Sequence, residues 1–119
     1  MEVCGMNERI RVLIFEPRRD PRAQVIDNTL DTLRNYVGGN IQAVNPTHVD
    51  SPAVLICNVD GKSVGYVPNR FLLDKEGAAY DCVFGTFLIV GDGDEEFASL
   101  TDEQIKVFSA PRNTGDLYW

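Results

Sequence analysis

Few residues of this chain are of the types that do chemistry, and their spacing matches no familiar catalytic arrangement. The sole histidine, His48, lies between two prolines in the stretch Asn45–Pro52, which is typical of a surface loop. Nucleophilic catalysis needs a Ser, Cys or Thr beside a base that a third group holds. No Gly-x-Ser-x-Gly motif and no phosphate-cradling glycine loop accompanies His48. We therefore expect a protein that is not an enzyme.

Side chains that bind metals are equally sparse. The chain has an odd number of cysteines, Cys4, Cys57 and Cys82, and they lack Cys-x-x-Cys spacing. We therefore expect neither a disulfide framework nor a zinc site. The acidic turn at residues 91–96 lacks the bidentate glutamate of a calcium loop, which favours a solvated turn. We expect no cofactor. One arrangement stays open, because carboxylates at several strand ends could converge on a metal ion: Glu16, Asp27, Asp60 and Asp81.

Length and charge narrow the class of protein. The chain has 119 residues, the size of one ordinary domain, and a formal net charge of −7. Residues 1–60 hold six Lys and Arg against eight Asp and Glu, and residues 61–119 hold five against ten. This acidity disfavours direct nucleic-acid binding, which depends on Lys and Arg, and suits a basic partner surface. No run is apolar enough for a bilayer and no signal peptide is evident, so we expect a cytoplasmic location.

The first half of the chain predicts three strands and a helix. The β-branched run from Ile10 to Pro17 predicts a central strand with apolar residues on both faces. A short strand is expected at 23–26. Asn28 is then a candidate N-cap for a helix that ends at Gly38-Gly39, and residues 41–44 alternate like a half-exposed strand.

The second half predicts a hairpin, a buried strand and a helix. Asp60-Gly61 lies between the apolar runs 54–59 and 62–67, which favours a β-hairpin closed by Pro68. Residues 71–80 are expected to form a loop with a short helical turn, and 83–90 one buried strand. Thr101, with Gln104 three residues on, predicts a capping box that opens a second helix.

Together these elements predict one α+β domain at residues 10–110, with about five or six mainly antiparallel strands and two helices. Residues 1–9 form an N-terminal extension and 111–119 a C-terminal tail that carries the only tryptophan, Trp119. The tail is expected either to pack on the domain or to contact a partner. We expect a monomer or a homodimer, the latter paired through an exposed strand edge beside the hairpin.

Seven short blocks, taken in their order along the chain, form one pattern. They are IRVLIFEP (10–17), IDNTL (26–30), VGG with Ile41 (37–41), LICN with DGK (55–62), PNR (68–70), GTFLIVG (85–91) and SLTDEQI (99–105). The pattern resembles a small uncharacterised domain family of bacteriophages, prophages and mobile elements, mainly of Firmicutes, from about residue 10 to 108. The resemblance implies a biological context rather than an activity.

Within that context the acidic second half suggests an anti-defence inhibitor. Such a protein would dock on a host immune protein, for instance a CRISPR nuclease, whose Lys- and Arg-lined groove normally holds nucleic acid. The candidate surface consists of the acidic residues Asp74, Glu76, Asp81, Asp92, Asp94, Glu95, Glu96, Asp102 and Glu103.

Two other roles remain open. A sponge for an immune signalling nucleotide would need guanidinium groups for phosphate and an aromatic face for the base. The residues for that role are Arg18, Arg19, Arg22, Tyr66, Asn69 and Arg70. Arg70 is the strongest of them, although it could instead cap carbonyls or pair with Glu16. A phage or plasmid regulatory protein that acts through protein contacts is the other possibility.

Overall fold

Ten elements of secondary structure build the domain. The computed structural model describes residues 9–45, 52–74, 76–93 and 96–110. The strands are β1 (Arg9–Phe15), β2 (Arg22–Asp27), β3 (Ile41–Val44), β4 (Ala53–Asn58), β5 (Pro68–Leu73), β6 (Ala79–Phe84), β7 (Phe87–Asp92) and β8 (Phe97–Ala98), and the helices are α1 (Leu30–Val37) and α2 (Asp102–Ser109).

The strands form two antiparallel sheets. The main sheet has the order β2-β1-β7-β4-β3, with β8 also paired to β7. Strands β5 and β6 pair only with each other in the described part of the chain and form a separate two-stranded sheet. The predicted α+β class is confirmed. The described residues hold eight strands rather than five or six. The strand predicted at 62–67 is absent, and three strands, β5, β6 and β8, lie wholly or largely in segments for which no strand is predicted.

The main sheet is buried on both faces because its central strands are apolar on both. In β1, Ile10, Val12 and Ile14 face α1, and Leu13 and Phe15 face the layer made by α2 and the β5–β6 sheet. The second of these cores includes a stacked pair of rings, Phe15 and Phe87, with centroids 4.7 Å apart. The predicted central position of β1, covered on both sides, is confirmed.

Local signals mark the ends of both helices. The capping box of α2 is present: the Thr101 hydroxyl accepts from the Gln104 backbone N–H, and the Gln104 side chain accepts from the Thr101 N–H. Gly38 ends α1 in the left-handed conformation at φ 87°. The predicted N-cap Asn28 is wrong by one residue, since Thr29 caps α1. The Asn28 amide instead donates to the Phe97 carbonyl at 3.1 Å, which ties the helix entry to β8.

The predicted hairpin around Asp60-Gly61 is wrong. Strand β4 is already paired with β3 on one edge and β7 on the other, so no edge is left for the segment that follows it. That segment makes consecutive turns instead. The side chain of Asn58 accepts from the Asp60 N–H at 2.7 Å, and the Val64 N–H donates to the Asp60 carbonyl at 2.9 Å.

The hairpin of this half is formed by β5 and β6. Residues 71–80, predicted as a loop, supply most of it, and the Asp74 carboxylate accepts from the N–H groups of Glu76 and Ala78 to make its turn. The predicted single strand at 83–90 is two strands of different sheets. Gly85 separates them at φ 84°, with the Tyr66 ring 2.6 Å from where its Cβ would lie, so a side chain there would collide with that ring.

Candidate functional site

A cleft of about 360 Å³ lies between the end of the main sheet and the two-stranded sheet. This volume falls within the range of small-ligand sites. The floor is the face of β3 and β4, one wall is β6, and the turns after β4 close one end. We call it the β6 cleft, lined by Gln42, Val44, Leu55, Cys57, Asn58, Val59, Gly61, Lys62, Ser63, Leu72, Tyr80, Asp81, Cys82, Val83 and Phe84.

An ion pair bridges the turn after β4 to β6 at this cleft. The Lys62 ammonium donates to Asp81 Oδ1 at 2.6 Å, and its Nζ lies 6.0 Å from the centroid of the Phe84 ring. The hydrogen bond from Lys62 is the main reason that the pKa of Asp81 is lowered, and the same bond raises the pKa of Lys62. Both groups are therefore charged at neutral pH.

The two cysteines of the cleft are protonated thiols at neutral pH. Burial raises the pKa of Cys57, and the nearby Asp81 charge adds to that rise. Burial is also the largest cause of the raised pKa of Cys82. Because the thiolate is the reactive form, these pKa shifts make both thiols poor nucleophiles. The cleft is thus equipped for binding, with an apolar floor and a charged pair at its rim.

Sequence reasoning missed the β6 cleft because it placed both sides of the cleft in the wrong secondary structure. Lys62 was expected on a strand and Tyr80 in a loop. Their contact with β3 and β4 depends on strand pairings that are distant along the chain. The signal that was available is the pair of oppositely charged side chains, Lys62 and Asp81, that border otherwise apolar runs.

The predicted acidic surface divides into two groups. Asp74, Glu76 and Asp81 lie on the β5–β6 hairpin, where Asp74 makes the turn and Asp81 pairs with Lys62. Strands β1 and β4 both run antiparallel to β7 and therefore point the same way. Asp81 lies near the end of β4, whereas Asp102 pairs with Arg11 at the start of β1, so these two carboxylates lie at opposite ends of the sheet.

The second acidic group is brought together by one carbonyl. The Pro52 oxygen accepts from the Asp92 N–H at 3.1 Å and from the Gln104 side-chain amide at 3.0 Å, which joins the end of β7 to the first turn of α2. Asp94 and Glu95 lie outside the described residues. We call the described members of this group the acidic rim: Asp92, Glu96, Asp102 and Glu103.

Arg70 is half-buried and held by hydrogen bonds. Its Nη2 donates to the Arg19 carbonyl at 2.7 Å and its Nη1 donates to the side chain of Asn69 at 2.7 Å. Its guanidinium also lies over the Phe15 ring, 5.4 Å from the centroid. Burial lowers the pKa of Arg70, an effect that Asp20 opposes. Arg70 therefore caps carbonyls, the structural role that the sequence left open, and Glu16 pairs with Arg22 instead, at 2.6 Å.

The other residues proposed for a nucleotide lie near Arg70 but face different surroundings. Asn69 is fully buried. The Tyr66 hydroxyl donates to the Gly38 carbonyl at 3.4 Å, and its ring packs on Gly85. Arg18 and Arg19 are exposed on the β1–β2 turn, where Arg18 adopts φ 62°. The structure thus gathers the set at one end of the sheet, where Arg18, Arg19 and Arg22 are exposed and Arg22 is held in its ion pair with Glu16.

The remaining sequence hypotheses concern metals, His48 and the termini. Glu16, Asp27 and Asp81 each pair with a different cation, and no group of three metal-binding side chains occurs among the described residues. His48, Cys4, the 1–8 segment and the tail with Trp119 lie outside the described residues. None of the described helices is long and apolar enough to cross a membrane.

Comparison with known proteins places the chain in a sequence family. Residues 10–111 match the family described as a domain of unknown function, DUF3846. No curated protein and no solved structure matches the chain.

Proposed function

The chain belongs to DUF3846, a domain of unknown function, and we propose that it is a phage-type accessory protein that acts by binding. In this proposal it is an anti-defence inhibitor that docks on a host immune protein in the bacterial cytoplasm. The partner is a nucleic-acid-binding effector such as a CRISPR nuclease. The resemblance to phage and mobile-element proteins supplies the context, and the acidic rim supplies the contact.

The observation that carries this proposal is the junction at the Pro52 carbonyl. It places the acidic end of β7 beside the acidic first turn of α2, so their carboxylates act on a partner together. Asp102 contributes although it pairs with Arg11, since its side chain is 92% exposed. A cluster of this kind steers a Lys- and Arg-rich surface into contact and speeds association.

Partner capture followed by charge reversal tests the proposal. Tagged protein is incubated with a Firmicute lysate, and the retained proteins and nucleotides are identified by mass spectrometry. Association of the purified partner is then measured with Glu103→Lys and with Asp31→Lys as the matched control. Both substitutions change the second residue of a helix by the same charge, but α1 and α2 cover opposite faces of the sheet.

We expect Glu103→Lys to slow association by about tenfold at low salt and to flatten its salt dependence. Asp31→Lys should change both far less. Equal effects of the two variants would mean that only net charge matters, and the acidic rim would lose its role. A captured partner whose binding ignores both substitutions and salt would contradict the electrostatic proposal altogether.

Nucleotide sequestration is the second candidate, favoured by the position of Arg18 and Arg19. The Arg70 side chain anchors the carbonyl of Arg19 and so holds the turn that carries both exposed guanidinium groups. Calorimetric titration with cyclic nucleotides and ADP-ribose derivatives tests it. Heat that disappears in Arg18→Gln/Arg19→Gln but persists in Arg34→Gln would support the sponge, and no heat with any of these ligands would contradict it.

A further inference from the structure

The outer edge of β6 faces the β6 cleft. Five consecutive residues of this strand, Tyr80–Phe84, line the cleft. Neighbouring side chains of a strand point to opposite faces, so a cavity lined by consecutive residues meets the strand at its backbone edge. In the described part of the chain β6 pairs only with β5, on its other edge. Two backbone groups of β6 are already occupied or approached closely: the Cys82 N–H donates to the Asp81 carboxylate, and a Cβ at Gly61 would lie 2.8 Å from the Phe84 carbonyl oxygen. The remaining backbone groups of this outer edge can accept another strand.

The floor of the cleft is the face of the main sheet. Gln42 and Val44 alternate along β3, and Leu55 and Cys57 alternate along β4, so all four belong to one face. The β5–β6 layer packs on the neighbouring part of this face, where Leu72 and Val83 join the same core as Leu55 and Cys57. One further strand beside β6 would extend that layer over the exposed end of the main sheet.

Strand β6 lacks two of the features that protect sheet edges. Its sequence, Ala79–Phe84, holds no lysine and no proline, which commonly block edge pairing. Its one charged side chain, Asp81, is already paired with Lys62. Tyr80 is 50% exposed and lies where the β5–β6 register shifts, a bulge of the kind that redirects side chains next to binding sites.

We propose that the β6 cleft binds an extended, basic segment of a partner protein, which adds to β6 as a third strand. This inference rests on the proposed function, in which the partner is basic. The net charge of −7 attracts a cationic segment and repels a second copy of this acidic chain. Both hydrogen bonds that the Asp81 carboxylate accepts end on Oδ1. Its Oδ2 is the acceptor for a lysine or arginine of the bound segment.

Three synthetic peptides test the chemistry of the site. The probe is a heptapeptide that alternates lysine and valine, and its counterpart replaces each lysine by glutamate. A third peptide keeps the side chains of the probe but is N-methylated at every internal amide, which prevents strand pairing. Binding is followed by fluorescence anisotropy and by NMR shifts of the β6 amides. We expect the probe to shift these amides and the two other peptides to bind at least tenfold more weakly.

Matched variants locate the site. Tyr80→Lys puts a repelling charge at the cleft, whereas Phe71→Lys makes the same change on β5, outside the cleft lining. We expect at least tenfold weaker binding of the probe to Tyr80→Lys and little change with Phe71→Lys. Equal binding to both variants, unchanged binding after N-methylation, or no binding of the probe would each overturn the inference.

Two further measurements test whether the cleft has another occupant. If removal of residues 112–119 shifts the β6 amides of the isolated protein, the tail fills the cleft and the inference is wrong. A dimer that sediments as such and dissociates in Tyr80→Lys would assign the edge to a second copy and would also overturn it. The proposed function fails separately, through Glu103→Lys, because Glu103 lies on α2 outside the cleft lining.

Discussion

At the scale of single residues, Asn69 joins three parts of the fold through one side chain. Its amide nitrogen donates to the Phe15 carbonyl at 3.0 Å and to the Gly85 carbonyl at 2.8 Å, and its oxygen accepts from Arg70. The residue is fully buried, so water cannot replace these bonds. Asn69 was proposed as a nucleotide contact, and its position assigns it a structural role as well.

Replacing Asn69 should therefore be costly. Asn69→Ala leaves two buried carbonyls without this donor, and each such loss costs about 1–3 kcal/mol, so we expect a total of about 3 kcal/mol. Urea denaturation measures the change in the free energy of unfolding. Asn35→Ala, on the exposed side of α1, is the control and should change it by less than about 0.5 kcal/mol. A similar small effect for Asn69→Ala would contradict the hydrogen-bond assignment.

The Lys62–Asp81 pair predicts a pH dependence with a definite sign. The folded-state pKa of Asp81 lies below its ordinary value of 3.8, so its contribution is present above that value and is lost as pH falls through the lowered pKa. The pKa of Lys62 is raised above 10.5, so the contribution is also lost as pH rises through that raised value. We expect the Tm difference between wild type and Asp81→Asn to be small, constant near neutrality and absent in strong acid.

Thermal unfolding across the acid range checks this prediction, with Asp60→Asn as a control that removes a neighbouring carboxylate outside any ion pair of the described residues. At neutral pH Asp60→Asn should change the Tm little, because it breaks none of these ion pairs. A difference for Asp81→Asn that widened on acidification would mean that the ion pair does not stabilise the fold.

At the scale of elements, the capping box of α2 stabilises the start of this helix and also its link to β7. Gln104 both completes the box and donates to Pro52, so Thr101→Ala loosens α2 and its link to β7. We expect a loss of about 1–2 kcal/mol in the free energy of unfolding by urea titration. Thr29→Ala removes a simple N-cap from α1 and should cost less. The reverse order would show that the link through Gln104 contributes nothing.

Elements that local signals define were predictable, and those that depend on distant pairing were not. The capping box of α2 and the end of α1 at Gly38 each depend on three to five neighbouring residues. The hairpin assigned to Asp60-Gly61 failed because β3 and β7 occupy both edges of β4. The β6 cleft could not be predicted for the same reason, since its ion pair joins residues 19 positions apart.

At the scale of the whole molecule, the topology predicts an order of local stability. Strand β7 pairs with β1, β4 and β8, and Leu88, Ile89 and Val90 are fully buried. Their amides should exchange hydrogen only through global unfolding, whereas the edge strands β2 and β3 should open locally at lower free energy. Native-state hydrogen exchange measures this order. Edge amides as protected as those of β7 would mean that the sheet opens only as one unit.

The same measurement reports on β6, whose two edges differ. Amides of β6 that bond to β5 should be protected, while those that point into the cleft have no strand partner in the described part of the chain and should exchange more quickly. The Cys82 N–H is set apart from both groups, since it donates to the Asp81 carboxylate at 2.7 Å. Because this contrast arises within one strand, it does not depend on overall stability. Saturation with the lysine–valine heptapeptide should slow only the cleft-facing set. Slow exchange of both sets in the isolated protein would mean that the edge is already covered and has no room for a partner strand.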